Sequence, residues 1–458
     1  MSLIDRIFEA GIVGQGGAGF PTHVKFNAQV NWLVINGLEC EPLLHTDKYI
    51  MRHNAHDVVK GIEVARQHLG ATRAVIGIKG VNHAEIDAIQ KEITAQGVDI
   101  QIFKSENYYP SGDEQMLVYD VTQQTVPAGG IPLDVGVVVS NVGTMQDIYN
   151  ATQGNAITHK YLTVTGEVVT PSVLKVPIGT SFSECIALCG GSTAVGYRII
   201  NGGPLMGSVH EQDEELFVTK TTSGIILIDK DNNFPALIKD MNLRHTVTRA
   251  KVACIQCRQC TDLCPRHLIG HKLHPHKIMR TLASADHQTE PSAEFLHTHK
   301  DILQQAHICC GCGICEVYAC PMGLLPRQVN LMIKGCLAKQ NIKFENKGER
   351  EPHIMAQYRK ISPYCILSRM GLLPLVDKKV DNFIDATTSV TYCISTVNIA
   401  LKQHIGQGAT PVVNVGDTVQ KGQLIGEASG NFSANIHASI DGTVKEVGFN
   451  IKIQREGA

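Results

Sequence analysis

Eight cysteines in the middle of the chain have the spacing of iron–sulfur ligands. They form two quartets, each followed by proline: Cys254, Cys257, Cys260 and Cys264, then Cys309, Cys312, Cys315 and Cys320. The first quartet follows C-x2-C-x2-C-x3-C-P, the run whose thiolates bind a [4Fe–4S] cluster. Two quartets predict two clusters and therefore the transfer of single electrons. Two zinc sites are the alternative, but zinc knuckles use two separated CxxC pairs and need no trailing proline.

The second quartet leaves two ligand assignments open. It has one extra residue before Cys320, so the reach of that thiol is uncertain, and Cys310 beside Cys309 could compete for iron. We interpret Cys310 as a bystander. The segment between the quartets is rich in histidine: His267, His271, His274 and His276. A metal or corrin ligand is one interpretation of this segment, but a polar, partly exposed helix is favoured, because Pro275 interrupts the spacing.

A glycine-rich loop near the N-terminus could bind a phosphate. Residues 14–25 read GQGGAGFPTHVK, with four glycines: Gly14, Gly16, Gly17 and Gly19. Glycines allow backbone N–H groups to close on a phosphate, and Lys25 adds a positive charge. The G-x-G-G-x-G pattern alone is weak evidence and is often a simple turn. An amphipathic helix precedes the loop and an apolar strand from Trp32 to Ile35 follows, which predicts an α/β domain.

The complete loop resembles the FMN loop of the NADH-binding flavoprotein subunit of respiratory complex I. It is also similar to the loop in the C subunit of Rnf electron-transfer complexes. Three later segments agree in order: VINGLECEP (34–42), YPSGDE (109–114) and VSNVGT (139–144). The resemblance implies FMN as a cofactor and NADH as the electron donor. Complex I has arginine where this chain has Gln15, which leaves Lys25 as the main group for the phosphate; Rnf-type loops lack that arginine too.

The resemblance also implies which residues line the cofactor site, and it requires no catalytic nucleophile. The implied residues are Gly14, Gly16, Gly17, Gly19, Phe20, Lys25, Asn36, Glu39, Tyr109, Gly112, Asp113, Glu114, Ser140, Asn141 and Thr144. Asp113 and Glu114 are expected to face the nicotinamide nucleotide. The alternative for these two acids is a solvated helix start, since carboxylates are favoured at that end of the helix dipole.

The remaining segments indicate an α/β multidomain protein. Residues 161–207 resemble a soluble-ligand-binding β-grasp (SLBB) domain, and residues from about 395 resemble a barrel-sandwich hybrid of the biotinyl and lipoyl type. The hairpin EASGNFSANIHA has no lysine to modify, so we interpret the hybrid as a docking or structural module. The predicted order is an FMN and NADH domain (1–155), a β-grasp domain (156–240), a helical ferredoxin-like domain with two [4Fe–4S] clusters (241–345), a connecting segment (346–394) and the hybrid (395–458).

This order resembles the PduS-type cobalamin reductases of propanediol utilisation. The resemblance implies reduction of cob(III)alamin or cob(II)alamin in a bacterial microcompartment, with a cobalamin adenosyltransferase and shell proteins as partners. In two-cluster ferredoxin-like folds the fourth cysteine of each run serves the other cluster, and the resemblance to them implies Cys254, Cys257, Cys260 and Cys320 for one cluster and Cys309, Cys312, Cys315 and Cys264 for the other. Two alternatives stay open: the C subunit of a membrane-bound, Rnf-like complex, and a non-catalytic electron-relay or docking protein.

Composition excludes other classes of function. The net charge is −2 and aromatic residues are 5% of the chain, so no nucleic-acid partner is expected. No stretch reaches the roughly 18 apolar residues of a membrane span. Fifteen cysteines, eight of them in cluster spacing, fit a reducing compartment, which predicts a cytoplasmic protein.

Overall fold

The N-terminal domain is built on a parallel four-stranded sheet. The computed structural model describes residues 1–232, 242–284, 290–345, 351–388 and 393–456. The sheet has the order β3-β2-β1-β4, with β1 (Trp32–Gly37), β2 (Arg73–Lys79), β3 (Gln101–Ser105) and β4 (Val137–Asn141). Its helices are α1 (Leu3–Glu9), α2 (Thr22–Lys25), α3 (Thr46–His53), α4 (Ala55–Leu69), α5 (His83–Gln96), α6 (Glu114–Thr122) and α7 (Val142–Thr152), with a 3-10 turn at Pro132–Val135. The inner strands are runs of Val and Ile because helices cover both faces.

The strand order creates a crevice at one edge of this sheet. Strand β2 lies on one side of β1 and β4 on the other, so the chain reverses its winding direction between β1 and β4. Open parallel sheets bind ligands outside the carboxyl ends of the strands at such a reversal. The segments that follow β1 and β4 are the predicted cofactor segments, and the fold therefore brings them together.

The β-grasp domain is a six-stranded sheet of order β10-β6-β5-β9-β7-β8. Its strands are β5 (His159–Gly166), β6 (Ser172–Pro177), β7 (Tyr197–Asn201), β8 (Ser208–Glu211), β9 (Gly224–Asp229) and β10 (Asn382–Asp385), and its helix is α8 (Phe182–Leu188). The Ser181 hydroxyl begins that helix by accepting a hydrogen bond from the Glu184 N–H at 3.2 Å. Strand β10 comes from the segment predicted to be a connection, so that segment completes the sheet by pairing with β6.

Short helices make up the cysteine-rich domain. Their bounds are Leu243–Ala253, Gln259–Asp262, Pro265–Leu268, Pro275–Ser284, Ala293–Thr298, Lys300–Leu303, Ile314–Val317 and Pro326–Lys339, with a 3-10 turn at Gln304–Ile308. The connecting segment adds the helix Pro363–Arg369 and two 3-10 turns at Ala356–Arg359 and Leu373–Asp377. Several of these helices begin with proline, whose missing N–H costs nothing at that position.

The sequence favours a polar, partly exposed helix for the histidine-rich segment; His267, His274 and His276 are partly exposed, but the segment contains two short helices and not one. Gly270, with φ of +99°, follows one short helix, and Pro275 begins the next, so the segment bends between them. His271 is buried, and its Nε2 donates to the Val126 carbonyl at 2.8 Å. That histidine joins the cysteine-rich domain to the N-terminal domain.

Two small antiparallel sheets form the C-terminal domain, in the orders β11-β17-β16-β13 and β12-β14-β15. The strands are β11 (Thr396–Ala400), β12 (Thr410–Pro411), β13 (Thr418–Val419), β14 (Leu424–Glu427), β15 (Ile436–His437), β16 (Gly442–Val447) and β17 (Asn450–Gln454). Throughout the described residues, no helix has the length and apolar character needed to cross a membrane.

Candidate functional site

The glycine loop lies against the carboxyl end of β4. The Gln15 N–H donates to the Thr144 hydroxyl at 3.1 Å, and Thr144 is fully buried in the first turn of α7. A Cβ added at Gly16 would lie 3.2 Å from the Cβ of Asn141, whereas one added at Gly17 would meet nothing within 4 Å. The loop therefore packs closely on one side and leaves an open, side-chain-free surface on the other, which suits a phosphate group.

The segment 109–114 forms a second wall of the crevice. Asn36, at the end of β1, donates to the Gly112 carbonyl at 3.0 Å and accepts from the Leu38 N–H at 3.1 Å. A Cβ at Gly112 would lie 2.7 Å from the Cβ of Cys40, so glycine is required there. The fully buried hydroxyl of Ser111 has no hydrogen-bond partner among the described residues, which leaves it available to a polar ligand.

Asn141 joins β4 to the helix that follows it. Its side-chain oxygen accepts from the Gly143 N–H at 2.8 Å and caps α7, while its amide nitrogen donates to Asp47 at 2.8 Å. Ser140 is buried beside it. The three residues predicted from VSNVGT thus lie together, at the strand end where the glycine loop packs.

A buried group of charges beneath the crevice was missed by the sequence reasoning, apart from Glu39. Burial, with the nearby Asp47 carboxylate, raises the pKa of Glu39 to about 8, and burial raises the pKa of Asp47 to about 6. Lys160 of β5 donates to the Gln15 side-chain oxygen at 2.5 Å, and burial lowers its pKa to about 8. No local pattern signals Lys160, because it belongs to the β-grasp domain.

Lys79 is a further residue that the sequence reasoning missed. It ends β2, is buried, and donates to the Glu39 carbonyl at 3.3 Å. Burial lowers the pKa of its ammonium group. The available signal was the lysine at the carboxyl end of the otherwise apolar strand RAVIGIK.

The predicted phosphate and nucleotide residues make specific contacts within the protein. Lys25 donates to Glu114 at 2.7 Å and to the Val139 carbonyl at 2.8 Å. Asp113 caps α6 and accepts from the Arg266 guanidinium at 2.9 Å, so it faces the cysteine-rich domain. The Glu114 side chain is 40% exposed and remains accessible.

The eight quartet cysteines line two separate cavities, four in each. The first cavity is lined by Cys254, Cys257, Cys260 and Cys320, and the second by Cys264, Cys309, Cys312 and Cys315, with Cys310 beside them. The fourth cysteine of each quartet therefore lies with three cysteines of the other. In the described ranges no three His, Cys, Asp or Glu side chains converge on a point that one metal ion could occupy, whereas thiolates hold a cluster around a larger inorganic core.

The chemistry of both cavities fits iron–sulfur clusters. Burial raises the pKa of Cys260 to about 12, and burial also raises the pKa values of Cys264 and Cys315, so these thiols need nearby positive charge to ionise. Bound iron supplies that charge and deprotonates its thiol ligands. The second cavity is also lined by Arg266 and Asn330, both buried.

The flavin-loop domain contacts the second cavity directly. The buried Tyr109 hydroxyl donates to the Cys312 carbonyl at 2.9 Å, and the backbone N–H of Tyr109 donates to the Ile361 carbonyl. Together with the Asp113–Arg266 ion pair, this contact places the YPSGDE segment against the wall of the second cavity.

The C-terminal domain packs on the glycine loop. The Ile405 N–H donates to the Ala18 carbonyl at 3.0 Å, and the Phe20 ring meets the Phe432 ring edge-on at 5.9 Å. A Cβ added at Gly19, whose φ is +72°, would lie 3.1 Å from the Cβ of His404. The segment QHIG at 403–406 therefore packs directly against the glycine loop.

Four family profiles match successive parts of the chain. They are the Nuo51 FMN-binding domain at residues 7–150, the SLBB domain at 161–209, the 4Fe-4S dicluster domain at 253–325 and the RnfC barrel-sandwich hybrid domain at 385–457. These matches confirm the predicted fold class and the prediction of FMN and two [4Fe–4S] clusters as cofactors.

Curated relatives match most of the chain. Cobalamin reductase PduS of Citrobacter freundii is 38% identical over 451 residues, which cover 97% of this chain and 94% of the relative. The protein of the same name from Salmonella typhimurium is 38% identical over 447 residues, again 97% and 94%. The C subunit of the Na(+)-translocating ferredoxin:NAD(+) oxidoreductase complex of Acetobacterium woodii is 36% identical over 274 residues, 57% of each chain.

Proposed function

The chain belongs to the family of PduS-type cobalamin reductases, which are oxidoreductases with flavin and iron–sulfur domains, and we propose that it transfers electrons from NADH to cobalamin. The observation that carries this proposal is the contact between the predicted flavin site and the second cavity, through Tyr109 and the Cys312 carbonyl. A flavin is suited to the task because it exchanges a hydride with nicotinamide and single electrons with clusters.

The residues of the crevice would bind and orient the flavin. The loop N–H groups and Lys25 would hold its phosphate, while Asn36 joins β1 to Gly112 and Asn141 joins β4 to Asp47 through hydrogen bonds of 3.0 and 2.8 Å. Glu114 is the accessible carboxylate expected to face the nicotinamide nucleotide. The close packing at Gly16 and Gly112 supports a preformed site.

The eight quartet cysteines would hold the two clusters in the interleaved arrangement. The grouping of four thiols around each cavity supports this assignment, including Cys320 in the first cavity. Cys310 is the fifth thiol at the second cavity and remains the alternative ligand there. The sequence has no Asp-x-His-x-x-Gly corrin-binding motif, so cobalamin would be met transiently at the protein surface.

An anaerobic assay with the purified, reconstituted protein tests the proposal. We expect NADH oxidation to be accompanied by reduction of cob(III)alamin or cob(II)alamin, followed by their absorbance changes, in protein that carries FMN and about eight irons. The matched control is Cys365→Ser, which alters an exposed cysteine outside both cavities. Protein that oxidises NADH with an artificial acceptor but leaves cobalamin oxidised would contradict the proposal.

On the basis of the family resemblance, we also propose where the protein acts and with which partners. The proposed location is a cytoplasmic microcompartment, and the proposed partners are a cobalamin adenosyltransferase and shell proteins. Co-purification with membrane subunits would instead favour the Rnf-like alternative, whose relative matches 57% of the chain. Absence of bound flavin after mild purification would favour the non-catalytic relay.

A further inference from the structure

The two cavities differ in their neighbours. The second cavity touches the predicted flavin site through the Cys312 carbonyl and through Arg266, which is paired with Asp113 at 2.9 Å. The first cavity is lined by residues of the cysteine-rich domain, and its Cys257 is exposed. If both hold clusters, the second cavity holds the one adjacent to the flavin and the first holds the one nearer the solvent.

Buried hydrogen-bond donors line the second cavity without oxygen or nitrogen acceptors. Arg266 is 7% exposed, its Nε and Nη1 have no oxygen or nitrogen partner within the described part of the chain, and its guanidinium lies beside the Cys310 thiol. Asn330 is 1% exposed, and its amide group has no oxygen or nitrogen partner among the described residues but lies beside the Cys309 thiol. Unpaired donors at such depth are costly, so their presence in the wall indicates acceptors inside the cavity. The sulfur atoms of a bound cluster are such acceptors.

Arg327 lines the same cavity, and its Nε also has no partner among the described residues. Unlike Arg266 and Asn330, however, it has two anchoring contacts: its terminal nitrogens donate to the Leu205 carbonyl at 2.6 Å and to the Glu316 carboxylate at 2.9 Å. These contacts join the cavity wall to neighbouring segments, so the burial of Arg327 is explained without a bound cluster. Apart from the cavity thiols, Arg266 has one such contact, with Asp113, and Asn330 has none among the described residues.

We propose that Arg266 and Asn330 donate N–H···S hydrogen bonds to the cluster of the second cavity and thereby raise its reduction potential. The proposal rests on the ligand assignment in the proposed function. Reduction adds one electron to the cluster and hence one negative charge. Donors and a guanidinium cation stabilise the reduced form more than the oxidised form. Asp113, which pairs with Arg266 at 2.9 Å, acts in the opposite sense, because its negative charge disfavours the added electron.

Redox titration followed by electron paramagnetic resonance tests the proposal. Mediator dyes and dithionite deliver one electron to each cluster, with no bond or proton change in the protein, so neither NADH nor cobalamin takes part. The variants are Arg266→Gln, Arg266→Lys, Asn330→Leu and Asp113→Asn, with Arg258→Gln as the control beside the first cavity. Cys320→Ser, which is expected to lose the first cluster, identifies the signal of the second.

The expected shifts have different signs. At a fixed solution potential, Arg266→Gln lowers the reduced-to-oxidised ratio of the second cluster about tenfold, which is about 59 mV for one electron. Asn330→Leu lowers this ratio by a smaller factor. Arg266→Lys lowers it less than Arg266→Gln does, because the positive charge is kept. Asp113→Asn raises the ratio. The first cluster keeps its potential in these four variants. Arg258→Gln leaves the second cluster unchanged.

Two failures can be told apart. Wild-type protein that binds no cluster contradicts the proposed function. Two clusters in all variants, with an unchanged potential of the second in both Arg266→Gln and Asn330→Leu, would overturn this inference alone. If Arg266→Gln loses the second cluster, the reduction potential of that cluster in Asn330→Leu and in Arg266→Lys tests the inference instead.

Discussion

Lys25 is the main cation that the glycine loop offers to a phosphate, and in the structure it pairs with Glu114 at 2.7 Å. The pair is partly exposed, with 31% of the lysine side chain accessible, so the ammonium group can exchange its carboxylate partner for a phosphate. An exposed ion pair of this kind contributes at most about 1 kcal/mol to folding. The importance of Lys25 is therefore expected in binding more than in stability.

Replacing Lys25 with alanine should weaken FMN binding about tenfold or more, since a hydrogen bond to a charged group contributes about 1.5–3 kcal/mol. The measurement is the ratio of FMN to protein after gel filtration, together with iron content, which should not change. Lys91→Ala, an exposed lysine on α5, is the control. Equal flavin retention in both variants would show that Lys25 does not hold the phosphate.

Glu39 makes stability depend on pH, because burial raises its pKa to about 8 from an ordinary value of 4.5. Between these two values the folded protein binds a proton that the unfolded chain has released, so the free energy of unfolding falls as pH rises. Glu39→Gln keeps the acceptor for the Asp47 and Lys48 N–H groups and removes the ionisation.

We expect wild-type protein to lose on the order of 3 kcal/mol of stability between pH 5 and pH 8 through this group, and the variant to lose less. Thermal unfolding of both proteins across this range measures the difference. Glu294→Gln, at an exposed position, should follow the wild type. Parallel curves for Glu39→Gln and the wild type would mean that Glu39 ionises normally.

At the level of elements, the lengthened second quartet is accommodated after the helix Ile314–Val317. Tyr318 and Ala319 follow that helix, and Cys320 then lies at the first cavity, where its sulfur accepts from the Leu324 N–H at 3.4 Å. The extra residue therefore lengthens the segment after the helix, and Cys320 still lines the first cavity.

Cys320→Ser should reduce iron content from about eight to about four per chain, since one four-iron cluster loses a ligand. Iron analysis and the cluster spectra provide the measurement, and Cys365→Ser serves as the control. Cys310→Ser should keep both clusters. Full iron content in Cys320→Ser would show instead that another group is the fourth ligand of the first cluster.

Sequence patterns predicted the elements that carry local signals. The quartets, the glycine loop and the apolar strands of the first domain each depend on residues close together in the chain. The pairing of β10 with β6 could not be read from the sequence, because Asn382–Asp385 lies about 200 residues from its partner strand. The buried donors Arg266 and Asn330 were missed for the same reason, since only the folded chain shows that they line the second cavity.

At the scale of the whole molecule, Lys220 ties three parts of the chain together. Its buried ammonium group donates to the Gly11 carbonyl at 2.7 Å, ahead of the glycine loop, and to the Asn435 carbonyl at 2.6 Å in the C-terminal domain. Its backbone N–H donates to the Gln403 side chain at 2.8 Å. Lys220, in the β-grasp segment between β8 and β9, therefore adds to the contacts that hold the C-terminal domain against the glycine loop.

Replacing Lys220 with alanine should loosen this attachment, because two buried carbonyl groups lose their donor at a cost of about 1–3 kcal/mol each. The C-terminal domain would then support the glycine loop less firmly, and FMN retention should fall although Lys220 is not among the residues predicted to bind the flavin. Limited proteolysis and the FMN-to-protein ratio measure the two effects. Lys421→Ala, at an exposed turn of the same domain, is the control. Faster cleavage with unchanged flavin content would show that the C-terminal domain stabilises the chain without supporting the flavin loop.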